Sequence, residues 1–225
     1  MNTRLRVGVR PSLLAHKQAQ EAAEMFPGLH FDVVCIETQG DKDKHTPLES
    51  LEGSDFFTRE INEALRREEI DASVHSAKDL EVPFPDDLEV VLMSGSISPF
   101  DCLVSGPGYS LEELPGGSCV GTSSAARKRG VCRYRADLVV KDIRGNVDER
   151  IAQLVQGAYD AIIVAEAALI RLGAKINNKA VARIIPPEIM APHPLQGRLA
   201  VVISHKRADV KEKLYESLHR RCRAG

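Results

Sequence analysis

The chain has 225 residues, 43% of them hydrophobic and 28% charged, with a formal net charge of −2 at pH 7. That length suffices for one large domain or two small ones, each with its own core. The balanced charge argues against a nucleic-acid binder, no apolar run reaches membrane-spanning length, and Met1 to Val9 lack the apolar stretch of a secretory signal.

Strand and helix patterns alternate along the chain, which predicts an α/β protein with largely parallel sheets. Leu5 to Arg10 reads as a strand, and Ser12 caps a helix whose Ala15, Ala19, Ala22 and Phe26 share one face. Phe31 to Glu37 is a second strand. Thr58 to Arg67 is a helix with Glu60 and Glu63 early and Arg66 and Arg67 late, matching the helix dipole. Asp71 to His75 is a buried-type strand running straight into Ser76-Ala77-Lys78-Asp79, and Leu88 to Met93 is another strand. A second block begins near Pro99. Ser118 to Gly121 is a strand ending in Gly121-Thr122-Ser123-Ser124, followed by a basic helix. Leu138 to Ile143 is a strand ending in Arg144-Gly145. Asn146 caps the next helix with Glu149 at the capping-box position, and Gly157 closes it. Asp160 to Ala165 is the last strand of the block. Leu199 to Ser204 returns to the first block, and Val210 to His219 is the closing helix.

Three strand-to-helix turns end in small polar or basic residues: Arg10-Pro11-Ser12, Gly121-Thr122-Ser123-Ser124 and Arg144-Gly145-Asn146. In parallel α/β sheets ligands gather at the carboxyl ends of strands, where helix N-termini present free N–H groups. Hydroxyls, amides and arginine suit carboxylate or phosphate. One such turn is usually a plain helix cap; three of them point to a polyanionic ligand. Arg127-Lys128-Arg129 reads by default as a solvated helix face. Lys78-Asp79 reads either as a surface ion pair or as an acid placed at a strand's carboxyl end, fit for general acid/base work or for stabilising a developing cation. His75, inside the strand, is expected to pack. Nucleotide-binding, zinc-hydrolase and serine-hydrolase motifs are not found. The five cysteines, Cys35, Cys102, Cys119, Cys132 and Cys222, form no C-x-x-C pair. Their odd number points to a reducing compartment, with neither a disulfide framework nor a metal site. Cys35 and Cys119 read as small buried core residues. Cys222 lies among Arg220, Arg221 and Arg223.

Nine segments in order resemble the porphobilinogen deaminase (hydroxymethylbilane synthase) family. They are Val9-Arg10-Pro11-Ser12-Leu13-Leu14-Ala15, Thr38-Gln39-Gly40-Asp41, Asp71-Ala72-Ser73-Val74-His75-Ser76-Ala77-Lys78-Asp79, Val120-Gly121-Thr122-Ser123-Ser124, Ile143-Arg144-Gly145-Asn146-Val147, Tyr159-Asp160-Ala161-Ile162-Ile163-Val164-Ala165, Arg171-Leu172-Gly173, Pro186-Pro187-Glu188 and Leu195-Gln196-Gly197. The resemblance implies an α/β fold of two periplasmic-binding-protein-like domains with an inter-domain cleft. The expected boundaries are 1–96 plus 199–225 for the first domain and 97–198 for the second. It implies a cytoplasmic, monomeric transferase of tetrapyrrole and heme biosynthesis that condenses porphobilinogen into a linear tetrapyrrole and releases ammonia. The partners expected are porphobilinogen and the growing polypyrrole, without nucleic acid or membrane. Asp79 matches the catalytic aspartate and Lys78 a cleft lysine. Arg10, Ser12, Thr122, Ser123, Ser124, Arg127, Arg144, Gly145, Arg150, Arg171 and Gln196 fall on substrate- and cofactor-binding positions.

Three departures stand against that pattern. Ala126 replaces the first of two family arginines, unless Lys128 or Arg129 takes its role. The loop Glu52-Gly53-Ser54-Asp55-Phe56-Phe57 departs from the family's glycine- and lysine-rich lid. The family's third, α+β domain, which carries the cysteine anchoring a dipyrromethane cofactor, is expected to be absent. Covalent attachment is therefore not expected, and Cys222, read as part of a tail after the closing helix, is the one candidate anchor. Two alternatives follow: a non-catalytic polycarboxylate-binding protein, or one half of a split enzyme whose remaining domain is a separate chain.

Overall fold

The computed structural model describes residues 3–43, 46, 54–173 and 180–224. The chain runs β1 (Thr3–Val9), α1 (Leu13–Ala23), β2 (Leu29–Cys35), α2 (Gln39–Lys42), α3 (Arg59–Arg66), β3 (Ala72–Ser76), a 3-10 turn (Ala77–Asp79) and β4 (Leu88–Met93). It continues with β5 (Asp101–Ser105), β6 (Cys119–Gly121), α4 (Ala125–Tyr134), β7 (Val139–Lys141), α5 (Val147–Val155), β8 (Ala161–Ala165), α6 (Glu166–Leu172) and β9 (Val181–Ile184). It closes with β10 (Leu199–Ser204) and α7 (Ala208–Ala224). Two compact units result. One comprises Met1–Asp43, Gly53–Ser96 and Arg198–Gly225; the other comprises Lys44–Glu52 and Ile97–Gly197.

In the first unit the sheet order is β2-β1-β3-β10-β4. β1 pairs parallel with β2 and β3, while β10 pairs antiparallel with both β3 and β4. In the second unit the order is β7-β6-β8-β5-β9; β6 is parallel to β7 and β8, and β5 is antiparallel to β8 and β9. The sheets are therefore mixed, not largely parallel. Apolar runs such as Leu199–Ser204 mark a buried strand but carry no information on its direction. Direction is set by the connection, and neither β10 nor β5 enters its sheet through a strand–helix–strand crossover.

Each sheet is covered on both faces. In the first unit Val7, Val9, Val74 and Val201 pack with Ala15, Ala19 and Ala22 of α1 and Val210 and Leu214 of α7. On the opposite face Ile61 and Leu65 of α3 pack with Ile70, Leu88 and Val202. The strand period of two sorts residues between such faces. In β8, Ala161 and Ile163 join Val120 and Val131 of α4, whereas Ile162 and Val164 join Leu154 of α5 and Leu169 of α6. Burying a side chain of this size is worth about 1.5–3 kcal/mol relative to exposure. β8 is buried along its whole length and acts as the second unit's central support.

Three sequence expectations need correction. The closing helix runs to Ala224, so Cys222 lies within it and not in a tail beyond it. The run from His219 to Ala224 contains no glycine or proline, and arginine suits a helix C-terminus, so nothing stops the helix at His219. Cys35 is exposed and Cys119 only half-buried, although both sit in apolar strands. β2 is an edge strand with one neighbour only, and on the face shared by Phe31, Val33 and Cys35 the cover ends after Phe31. The side chain of Cys222, and Glu52 and Gly53 of the loop before α3, lie outside the described residues.

Candidate functional site

In the first unit β1 and β3 lie side by side and parallel, with Val7 opposite Ala72 and Gly8 opposite Ser73. Parallel neighbours deliver their carboxyl ends to the same sheet edge. β1 there releases Arg10-Pro11-Ser12, and β3 releases Ala77-Lys78-Asp79. The structure thus brings Arg10, Ser12, Lys78 and Asp79 to one edge. Ser12 has extended backbone and its Oγ accepts from Ala15 N at 3.2 Å, the N-cap expected from its position. Gln18 of α1 donates from Nε2 to Ser76 Oγ at 2.8 Å and ties that helix to the end of β3.

Arg10 is held from two sides. Its Nη2 donates to Asp41 Oδ1 at 2.5 Å and its Nε at 3.1 Å, and its guanidinium carbon stands 4.5 Å from the Phe57 ring centroid. Stacking and a forked ion pair together fix the guanidinium plane. Burial works against the charge of Asp41, but hydrogen bonds and charge from Arg10, with hydrogen bonds from Thr38, outweigh it and hold the carboxyl below its usual range. Gly40 has a local reason to be glycine, since a Cβ there would come within 2.2 Å of the Phe57 ring. Asp41 ends the segment Thr38-Gln39-Gly40-Asp41 and Phe57 ends the loop before α3, but their sequence positions carry no sign that they hold Arg10. The spacing of Thr38 and Asp41 signals only the local turn, in which Thr38 N and Oγ1 both donate to Asp41 Oδ2, at 3.0 and 2.7 Å.

His75 is fully buried and shares a 2.8 Å hydrogen bond with Ser73 Oγ. Burial brings its pKa down to about 4; the charge of Asp79 opposes this and that of Arg10 reinforces it. The imidazole is therefore neutral at pH 7 and packs, as its position in the strand suggested. Lys78 and Asp79 are half-buried at the mouth of the same edge.

In the second unit β7, β6 and β8 are parallel, and the turns after β6 and β7 lie together. Thr122 N donates to Lys141 O at 2.9 Å. Ser123 Oγ donates to Ile143 O at 2.7 Å and accepts from Ile143 N at 3.0 Å. Thr122 and Ser123 are both buried, so Ser123's hydroxyl joins the two turns. Ser124 caps α4 by accepting from Arg127 N at 3.5 Å. Asn146 and Glu149 form the expected capping box: Asn146 Oδ1 accepts from Glu149 N at 2.9 Å and Glu149 Oε2 from Asn146 N at 2.8 Å. Gly145 stands at φ +101°, and a Cβ there would lie 2.6 Å from Glu149 Oε2. Around the same turn Arg150 Nε donates to Gly145 O at 2.8 Å and Arg144 Nη1 to Thr46 O at 2.7 Å.

Arg127 does not belong to a solvated face. Its Nη2 meets Asp101 Oδ1 at 2.6 Å, with only 12% of the arginine and 7% of the aspartate side chain exposed. Gln196 completes this buried group, donating from Nε2 to Asp101 Oδ1 and to Pro99 O, each at 2.8 Å, while its Oε1 accepts from Arg127 Nη2 at 3.3 Å. Arg127 and Gln196 are thus brought together around Asp101, a residue that no local motif marked. Arg171 donates to Gly197 O at 2.8 Å. Lys128 forms an ion pair with Asp142 at 2.9 Å. Among the described residues no group of three or more His, Cys, Asp or Glu is placed to hold a metal ion, and no helix is long and apolar enough to cross a membrane.

Residues 5–212 match the family described as porphobilinogen deaminase, dipyromethane cofactor binding domain. This chain belongs to the porphobilinogen deaminase family. It is 41% identical over 201 residues to the porphobilinogen deaminase of Dichelobacter nodosus, covering 88% of this chain and 65% of that protein. It is 36% identical to the Natranaerobius thermophilus enzyme of that name, covering 94% and 68%, and 37% identical to that of Listeria monocytogenes, covering 97% and 72%. The chain therefore spans about two thirds of the length of these relatives. Among solved structures, the probable amino-acid ABC transporter extracellular-binding protein ytmK from Bacillus subtilis shares the fold with TM-score 0.55 at 11% identity, covering 100% of this chain and 94% of that one. A BvgS VFT2 domain from Bordetella pertussis does so with TM-score 0.52 at 14% identity, covering 96% and 86%. At such identities the likeness concerns the fold, which is that of the periplasmic binding proteins.

Proposed function

We propose that this chain carries out porphobilinogen deaminase chemistry, condensing porphobilinogen into a linear polypyrrole with loss of ammonia. The observation that carries this reading is the sheet edge of the first unit. There Asp79 leaves the buried strand β3 directly beside the Arg10–Ser12 turn of β1. Loss of ammonia from the aminomethyl carbon leaves a cationic pyrrole, and a carboxylate held at that edge stabilises the positive charge as it develops. Lys78 and Arg10 offer charge to the acetate and propionate groups, and Ser12 offers a hydroxyl. We assign Asp79 and Lys78 to the chemistry.

In the second unit we assign Ser124, Arg144, Gly145, Arg150 and Arg171 to binding of the pyrrole carboxylates, with the buried Thr122 and Ser123 holding the turn that presents them. The Ser124 hydroxyl and the arginines form a donor set suited to several carboxylates, and this donor chemistry fits a dipyrromethane. When bound, the dipyrromethane supplies the pyrrole carbon on which the chain grows. Arg127 and Gln196, turned toward Asp101, serve this surface by fixing the start of α4. The test is to incubate the purified protein with porphobilinogen and record porphyrin absorbance after acid oxidation. The reading requires porphyrin to accumulate with time and protein concentration; no absorbance above a protein-free control contradicts it.

A further inference from the structure

Cys35 ends β2 at the exposed edge of the first sheet, opposite Val9 in the register with β1. Its Sγ lies 3.3 Å from Nε2 of His16, one turn into α1. Nδ1 of the same ring lies 3.0 Å from the Ser12 carbonyl oxygen. A carbonyl only accepts, so Nδ1 carries the proton in that bond. In the neutral ring Nε2 is then the basic nitrogen, and it faces the thiol. A nucleophile, a base within hydrogen-bond reach and a third group that orients the base are the parts of an activated thiol. Neither residue has a role in the chemistry assigned above.

We propose that Cys35 and His16 form a reactive thiol pair whose partner is a small disulfide of the glutathione class. Cys35 Sγ attacks one sulfur of the disulfide as His16 Nε2 takes the thiol proton. The sulfur–sulfur bond of the reagent breaks and a bond from Cys35 to one half forms. The other half leaves as thiolate and receives the proton from His16. Cys35 is oxidised to a mixed disulfide and the released half is reduced to a thiol, so the exchange balances without another reagent. The other placed cysteines lack this arrangement: burial pushes the Cys102 thiol up to about 12, and half-buried Cys119 and exposed Cys132 show no hydrogen bond to an imidazole among the described residues. The cap forms at the sheet edge that carries the Arg10–Ser12 turn, so the thiol state of the cell reaches the neighbourhood of that turn.

Cys132 serves as an internal reference, since it shares exposure with Cys35 but not the imidazole. The native protein is exposed to oxidised glutathione at pH 7, quenched with acid at intervals, and each cysteine peptide is quantified by mass spectrometry. Cys35 is expected to be capped about tenfold faster than Cys132, because only Cys35 has a base within hydrogen-bond reach to take the thiol proton as the sulfur attacks. In His16→Gln the Cys35 rate should fall to that of Cys132, with the Cys132 rate unchanged as a check that the fold persists. Equal rates for Cys35 and Cys132 in the parent overturn the proposal without recourse to a variant. An undiminished Cys35 rate in His16→Gln overturns it as well.

Discussion

Replacing Asp101 with Asn removes the carboxylate that faces Arg127 in the second unit. Both side chains are largely withdrawn from solvent, and their closest approach is 2.6 Å. Breaking a buried pair by removing one partner costs about 3–5 kcal/mol, because the remaining charge keeps its desolvation penalty without its counter-ion. Arg127 retains weaker bonds to Ile163 O at 3.5 Å and Gln196 Oε1 at 3.3 Å, so the expected cost lies near the lower end, about 3 kcal/mol. The chain has no tryptophan and four tyrosines. Tyr109, Tyr134 and Tyr159 lie in the second unit, so tyrosine fluorescence during urea unfolding reports chiefly on that unit. The paired replacement Asp101→Leu with Arg127→Met should cost much less than the sum of the single losses, because no charge is then left buried. A loss below about 0.5 kcal/mol for Asp101→Asn, or strict additivity in the pair, would mean that Asp101 and Arg127 are not coupled as a buried ion pair.

Burial holds His75 at about 4 in the folded chain against 6.5 when unfolded. The unfolded state therefore binds the extra proton between those values. The contribution is fully present above pH 6.5 and is lost as pH falls toward 4, by about 3 kcal/mol at 1.36 kcal/mol per pKa unit. Urea titrations across pH 4 to 7 should show this slope, and His75→Gln should flatten it. Gly145→Ala forces a side chain onto φ +101° and against Glu149, so strain together with the disturbed capping box should lower stability by about 2–3 kcal/mol, measured by urea unfolding. Arg144→Leu should weaken binding of porphobilinogen about tenfold in calorimetry, since a charge-assisted bond is worth about 1.5–3 kcal/mol; an unchanged dissociation constant removes Arg144 from the site.

Local physics made much of this legible in the sequence. Ser12 and the pair Asn146 with Glu149 announced their helices through capping chemistry that depends on spacings of three residues, and the structure shows each of those bonds. The apolar run ending at His75 announced a buried strand, and so placed Asp79 at a strand end. What stayed hidden depends on distance along the chain. Asp101 meets Arg127 across 26 residues and Gln196 across 95, and nothing near any of the three signals the others. Arg10 likewise finds Asp41 across 31 residues, so the sequence showed an arginine in a turn but not what orients it. The exposure of Cys35 follows from β2 being an edge strand, which depends on sheet order and not on the strand's own composition.

Asp79, at the end of the turn after β3, is assigned to the step in which ammonia leaves. The most direct measurement is ammonia release from porphobilinogen by the parent and by Asp79→Asn, with binding of porphobilinogen to both followed by calorimetry. The parent should release ammonia, and Asp79→Asn should lose at least about a hundredfold in release while binding within a few-fold, because the carboxylate is needed where charge develops and not where substrate is held. Release by Asp79→Asn within a few-fold of the parent would contradict that assignment.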